Sequence, residues 1–308
     1  MTQYARKGWM VVSAAPNFLN VAMPDFSVQY AVSSFYDGDR PIFIGQIPSN
    51  SDYWALTVYD PDGLPVGGVN DSSISDQNYN IQLEYPIIPK DFRGEYCVIM
   101  RIYYRHRGVE VCNLSLPIIK IDEEILPIHK WTDIVRETDK IQAQLWSLFS
   151  CRFIQRLLVR GFYKPSQTDL VSLFPNRDAA YLVAFPYESR VLRIRWKPPV
   201  VSRCDVRFTG FMTCDLSDTR TFDSFSWRSK SSAIVILFIG YNRQEAIQKG
   251  MSSSDIFLQW EETVKYPCVV YREVRMKNKG VRSIPTNHNT AAQAQDHLKS
   301  FYPIITYM

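Results

Sequence analysis

The chain has 308 residues, enough to build two cores of ordinary size. At 46% hydrophobic and 21% charged residues it is neither a disordered nor a membrane-type composition, and no run approaches the roughly 18 apolar residues of a spanning helix. The net charge of +4 comes from scattered Lys and Arg, which excludes the concentrated basic stripe of a nucleic-acid binder.

Aromatics are abundant (18 Tyr, 17 Phe, 7 Trp) and favour β-rich structure with broad contact surfaces. The apolar patch Trp9–Ala15 lacks the length and cleavage pattern of a secretory signal, so synthesis in the cytoplasm is expected. Six cysteines (Cys97, Cys112, Cys151, Cys204, Cys214, Cys268) show no C-x-x-C spacing and read as reduced, mostly buried thiols.

Residues 1–121 read as a first β-sandwich. Strands are predicted over Tyr30–Phe35, Pro41–Gly45 and Tyr53–Tyr59. In the last, Trp54, Leu56 and Val58 alternate with Ala55, Thr57 and Tyr59, the period of a half-buried strand. Asp60–Gly63 closes it as a turn, because Pro61 presets φ and Gly63 accepts a positive φ. After a predicted loop over Gly67–Ser73, strands follow over Tyr79–Tyr85, Glu95–Tyr104 and Val109–Ile121.

The period then changes. Between Trp131 and Arg160, Ile134, Ile141, Leu145, Leu148, Phe149, Phe153 and Leu157 recur at three- and four-residue steps. That predicts an amphipathic helical linker over 122–165. Over 166–276 the strand pattern returns as a second β-sandwich: Tyr181–Phe185, Arg190–Trp196, Cys204–Met212, Ala233–Ile239 and Cys268–Val274. Val191, Ile194 and Trp196 against Arg193 and Arg195 predict one dry and one wet face, whereas Ala233–Ile239 is apolar throughout and reads as a central strand. A C-terminal tail, 277–308, holds a short predicted helix over Thr290–Lys299 and an apolar end.

The halves repeat each other. Tyr30–Pro48 lies over Tyr181–Pro198 with one deletion, both running Tyr, aliphatic strand, Tyr, Arg, aliphatic strand, Pro. Each half later reaches an Arg-bearing strand, Ile99–Tyr103 and Val270–Val274, so the two sandwiches read as divergent copies.

Tyr53–Gly63, Asn70–Ile74 and Val98–Tyr104, with the P-N-x-D-x-x-Y run Pro175–Tyr181, Leu258–Trp260 and Val269–Arg272, resemble the bacterial families labelled domain of unknown function twelve-fourteen and twelve-fifty-four. The resemblance implies tandem jelly-roll-like sandwiches joined by helical material. It departs from the pattern in lacking the Asn-Trp-Leu-Pro block in the first copy and the export signal of bacterial members. Similar chains in a large DNA virus would serve as shell components.

No sequence signature of a catalytic or cofactor site is present. Four dispersed histidines (His106, His129, His288, His297) do not make a metal site, no G-x-S-x-G occurs, and Asp60–Gly63 lacks the ligand spacing of a calcium loop. No cofactor or metal is expected. The sharpest polar cluster is Asn176, Asp178 and Tyr181. With Arg190 and Arg272 it forms a candidate ligand pocket in the second sandwich, although Asn and Asp more often brace their own loops. The apolar end, Phe301, Tyr302, Ile304, Ile305 and Tyr307, either docks on its own sandwich or reaches a neighbouring subunit.

The reading that follows is a mainly β protein of two tandem jelly-roll-like sandwiches, acting as a non-enzymatic structural or interaction protein of a larger assembly, a virion or shell component among the options. Protein subunits are the expected partners; nucleic acid and a membrane span are not expected. The competing reading is an enzyme or small-ligand binder using the second-sandwich pocket.

Overall fold

A computed structural model describes residues 8–12, 28–61, 63–84, 87–88, 90, 93–104, 116–130, 160–165, 176–199, 206–216, 221–227, 233–275 and 291–308. The chain divides into two compact units, Met1–Gln142 with Val171–Arg177, and Ala143–Leu170 with Asp178–Met308. The segment predicted as a helical linker falls, from residue 131 to 159, outside the described residues, as do residues 109–115 of the strand predicted over Val109–Ile121 and residues 276–290 of the tail.

The first unit is a two-layer sandwich. Its larger sheet contains β1 (Trp9–Val12), β2 (Val28–Tyr36), β4 (Ser51–Tyr59), β5 (Pro65–Asn70), β7 (Glu95–Tyr104) and β10 (Ile128–Lys130), in the order β10-β1-β2-β7-β4-β5. The smaller contains β3 (Ile42–Gln46), β6 (Asn78–Gln82), β8 (Ile118–Ile121) and β9 (Glu124–Ile125), in the order β6-β3-β8-β9. Pairing is antiparallel except between β1 and β10. Phe35, Trp54, Leu56, Val58, Val98 and Met100 from the large sheet meet Phe43, Tyr79 and Ile119 from the small one in a closed apolar core. Burial of these groups is the main term holding the layers together.

Two expectations for this unit are corrected. The stretch from Gly67 is the body of strand β5 and not a loop until Asn70, whose side chain accepts from the Ser72 amide (3.1 Å) and starts a short 3-10 turn. The two adjacent glycines hid the strand: Gly68 adopts φ +146, and a Cβ at Gly67 would sit on the Ile87 carbonyl. Strand β4 is buried on both faces, where a half-buried strand was predicted, because Ala55, Thr57 and Tyr59 are also withdrawn from solvent. The turn after it forms as predicted, with Gly63 at φ +77 donating to the Asp60 carbonyl (3.0 Å).

The second unit repeats the plan. Its larger sheet contains β11 (Ala179–Ala184), β13 (Val206–Asp215), β14 (Thr221–Trp227) and β17 (Pro267–Arg275), in the order β11-β17-β13-β14. The smaller contains β12 (Val191–Trp196), β15 (Val235–Gly240), β16 (Ile256–Gln259) and β18 (Ile304–Tyr307), in the order β16-β15-β12-β18. Leu182, Phe211, Val269 and Tyr271 pack against Ile194, Trp196, Leu237, Ile239 and Leu258. Helix α1 (Arg243–Gln248), N-capped by Asn242, covers one end of the small sheet through Ala246 and Met251. Helix α2 (Ala291–Leu298) precedes the last strand and inserts Leu298 into the core. As predicted, β12 has a dry and a wet face and β15 is an interior strand.

The correspondence between the units extends below strand order. The run β2-β7-β4-β5 matches β11-β17-β13-β14, and β6-β3-β8 matches β15-β12-β18. The ladder between β4 and β7 slips between Ser51 and Tyr53, and that between β13 and β17 slips between Val206 and Phe208. A second slip falls between Val58 and Tyr59 against β5, and between Thr213 and Cys214 against β14. Bulges are local, specific features of a backbone. Finding both at matching positions supports the reading of the halves as copies.

Candidate functional site

The sequence-predicted polar residues divide between the units, Asn176 falling in the first and Asp178, Tyr181, Arg190 and Arg272 in the second. Asn176 belongs to the first unit. Its side chain bridges two tyrosine hydroxyls, accepting from Tyr53 (3.2 Å) and donating to Tyr103 (3.4 Å), while those two rings meet edge to face at 5.2 Å. Arg177 beside it donates to the Gly68 carbonyl (3.0 Å). Asn176 and Arg177 are thereby fastened to the large sheet of that unit.

Asp178 begins the second unit, nearly buried. Tyr181 and Arg272 are directly opposed on β11 and β17. Tyr30 and Arg101 hold the matching positions on β2 and β7. Both arginines are only 4% exposed and lie on the face of the large sheet that points away from its own sandwich core. Each guanidinium packs over aromatic rings: Arg101 over Tyr59 (5.3 Å) and Tyr30 (5.7 Å), Arg272 over Phe208 (5.1 Å). A weakly hydrated, planar cation suits such packing. Arg190 lies on the small sheet's side, exposed, paired with Glu245 of α1 (3.3 Å) and stacked on Tyr241 (5.3 Å). Arg190 thus precedes the small-sheet strand β12, whereas Arg272 lies on the large-sheet strand β17.

The apolar end docks on its own unit. Strand β18 pairs with β12 from Leu192↔Tyr307 to Arg195↔Ile304. Tyr302 donates to the Phe162 carbonyl (2.6 Å), and the Tyr307 hydroxyl accepts from the Gly161 amide (2.8 Å). Phe301, Tyr302, Ile305 and Tyr307 pack against the core, which leaves Ile304 as the outward member.

Sequence reasoning passed over two groups. One is Glu273, fully buried inside the second sandwich, where it accepts from the Tyr271 hydroxyl (2.8 Å), which in turn accepts from Thr209 (3.2 Å). The matching residues of the first unit, Ile102, Met100 and Trp54, are apolar. A carboxylate interrupting the apolar run of β17 was the available signal.

The other is the outward face of the first unit's small sheet. Phe43, Tyr79 and Ile119 point inward, so Ile42, Ile44 and Ile118 point out, with Ile44 directly opposite Ile118. Ile125 extends the stripe opposite Lys120. Ile118 is 46% exposed, Ile125 59%, and Ile128 beyond it 60%. On the second unit Arg193 and Arg195 stand on the corresponding wet face, opposite Thr306 and Ile304.

Burial sets the shifted acid–base groups. It lifts the Cys97 thiol to about 12 and the Tyr302 hydroxyl to about 12, and lowers the Lys164 ammonium to about 8. No cluster of three or more His, Cys, Asp or Glu able to hold a metal occurs among the described residues. No helix among them is long and apolar enough to cross a membrane.

No protein-family model and no curated protein matches the chain. Among solved structures, it is similar to an uncharacterised protein of Burkholderia cenocepacia, with a TM-score of 0.59 at 11% identity over 98% of this chain and 82% of the other. It also aligns with a protein of Vibrio parahaemolyticus at a TM-score of 0.45 and 10% identity, over 93% of this chain and 92% of that one. The first likeness shows a shared fold with an uncharacterised bacterial protein.

Proposed function

We propose that the protein is a non-enzymatic interaction protein that builds a larger assembly through the isoleucine face of its first unit. The observation that carries this is Ile42, Ile44, Ile118 and Ile125 aligned across one sheet face, with Ile118 and Ile125 exposed. Contiguous apolar surface of this kind favours protein contact. The occupant we assign is a second copy of the chain. Lys120 stands within the stripe, and the hairpin tip beside it holds Asp122 and Glu123 at positive φ, projecting two carboxylates. A two-fold contact would set each Lys120 against the other copy's acidic tip. Shells made of repeated copies, virion shells included, are one form of such an assembly. We also read the chain as a distant relative of the tandem-sandwich families of unknown function, on the Pro175–Tyr181 run that leads into β11.

The competing ligand-binding reading retains one observation in its favour, the Thr209–Tyr271–Glu273 chain inside the second sandwich. Light scattering of the purified full chain across a concentration series separates the two. Self-association that is lost in the Ile118→Lys/Ile125→Lys double variant is expected. A wild-type monomer at all concentrations would overturn the self-assembly reading, and Glu273→Gln in ligand screens would then be the next comparison.

A further inference from the structure

The six cysteines are widely spaced in sequence, yet the fold sets two of them side by side. Cys214 on β13 and Cys268 on β17 are directly opposed on the two interior strands of the second unit's large sheet. Both are fully buried and free, with the Cys214 sulfur 3.7 Å from the Thr221 hydroxyl. The Leu216 amide donates to the Tyr266 carbonyl (2.9 Å) two positions along the same ladder. Cys214 and Cys268 therefore occupy a hydrogen-bonded pair of the antiparallel ladder, whose Cα atoms stand about 5.5 Å apart. That spacing lies within the range a disulfide spans. Pro267, which has no N–H to give, sits at the neighbouring non-bonded position, as the ladder requires.

The first unit supplies an internal control. Cys97 on β7 holds the position matching Cys268, at the same place relative to both bulges, but Tyr59 stands opposite it where the second unit has Cys214. Among the described residues, the first copy has one buried thiol at this position and the second a facing pair.

We propose that Cys214 and Cys268 form a reversible cross-strand disulfide in response to hydrogen peroxide, clamping β13 to β17. One sulfur attacks a peroxide oxygen; the O–O bond breaks, leaving a sulfenic acid and releasing one water. The facing thiol then attacks that sulfur, the S–O bond breaks, the S–S bond forms and a second water leaves. Overall the two sulfurs give up two electrons and two protons, and the peroxide accepts both. A small neutral oxidant fits the burial of the site. Burial also pushes the Cys268 thiol upward, so little thiolate is present at neutral pH and the oxidation is slow, speeding up as pH rises.

The test uses the full native chain, treated with graded hydrogen peroxide, quenched, denatured, alkylated and digested for mass mapping. A peptide linked through Cys214 and Cys268, two hydrogens lighter than the separate peptides and released by dithiothreitol, is expected, with Cys97 recovered as alkylated thiol. The oxidised protein should melt at a higher temperature than the reduced one. In Cys214→Ser that shift and the linked peptide should both be lost. Recovery of Cys214 and Cys268 as alkylated thiols, at peroxide levels that already oxidise methionines of the same sample, would overturn the proposal. So would overoxidation of either sulfur without a linked peptide.

Discussion

The large sheets of the two units share strand order, both bulges and a Tyr–Arg pair with a buried arginine, but they are filled by different chemistry. In the first, Trp54, Met100 and Ile102 are apolar; in the second, Thr209, Tyr271 and Glu273 thread a hydrogen-bonded chain through the same positions. The small sheets differ the other way. The first unit turns isoleucines outward, and the second turns out Arg193 and Arg195. Backbone geometry has been kept where side-chain chemistry has not. The positions that differ are therefore where a function particular to one unit should be sought.

The largest effects should come from the matched core residues. Leu56→Ala should cost about 2–5 kcal/mol and Phe211→Ala about 3–5 kcal/mol in denaturant titrations. A negligible loss at either would break the equivalence of the two cores. The matched pair Ala55 and Gly210 sharpens it further, since each stands opposite the buried arginine of its sheet. A Cβ on Gly210 would lie 2.3 Å from the Phe225 carbonyl. Gly210→Ala should then cost about 1–3 kcal/mol, whereas Ala55→Gly should cost only about 0.5–1 kcal/mol.

Asn176→Ala removes a bridge between two buried tyrosine hydroxyls of the first unit, and a loss of about 1–3 kcal/mol is expected from thermal or chemical unfolding. The pH dependence separates groups of the second unit. Lys164 titrates near 8 when folded against 10.5 unfolded, so the unfolded chain binds more protons in that window and this group raises stability as pH climbs through it. Tyr302 acts oppositely: its folded value is raised to about 12, so its contribution is complete below pH 10 and is lost between 10 and about 12. Tyr302→Phe should flatten the alkaline decline, and Lys164→Met the rise before it. Unfolding curves at fixed pH values check both. The smallest effect on folding should be that of Ile118→Lys, within about 0.5 kcal/mol for an exposed site.

Much of the fold was legible because alternation and turn chemistry agree locally. Glu95–Tyr104 was predicted residue for residue, and Asp60–Gly63 forms the expected turn. Strand β5 was missed because glycines at 67 and 68 read as loop, although they permit close backbone approach. Strands β14 and β16 and helix α1 were also missed, the helix being only six residues long and held mainly by its packing on the small sheet. The proposed site was less legible. Asn176, Asp178, Tyr181 and Arg190 are near neighbours in sequence, but Asn176 belongs to the first unit, Arg190 precedes the small-sheet strand β12, and Arg272 comes from the distant strand β17. Conversely, the isoleucine stripe and the Cys214–Cys268 pair are products of cross-strand register, which spacing along one strand does not reveal.

The most direct test of the account is side-chain footprinting of the assembled protein with hydroxyl radicals, comparing Ile118 with its counterpart Ile304. Both are exposed to similar extents in the single chain, 46% and 48%. The account predicts that labelling of Ile118 and Ile125 falls on assembly while that of Ile304 is unchanged. Equal labelling of Ile118 before and after assembly, or protection of Ile304 in its place, would contradict it.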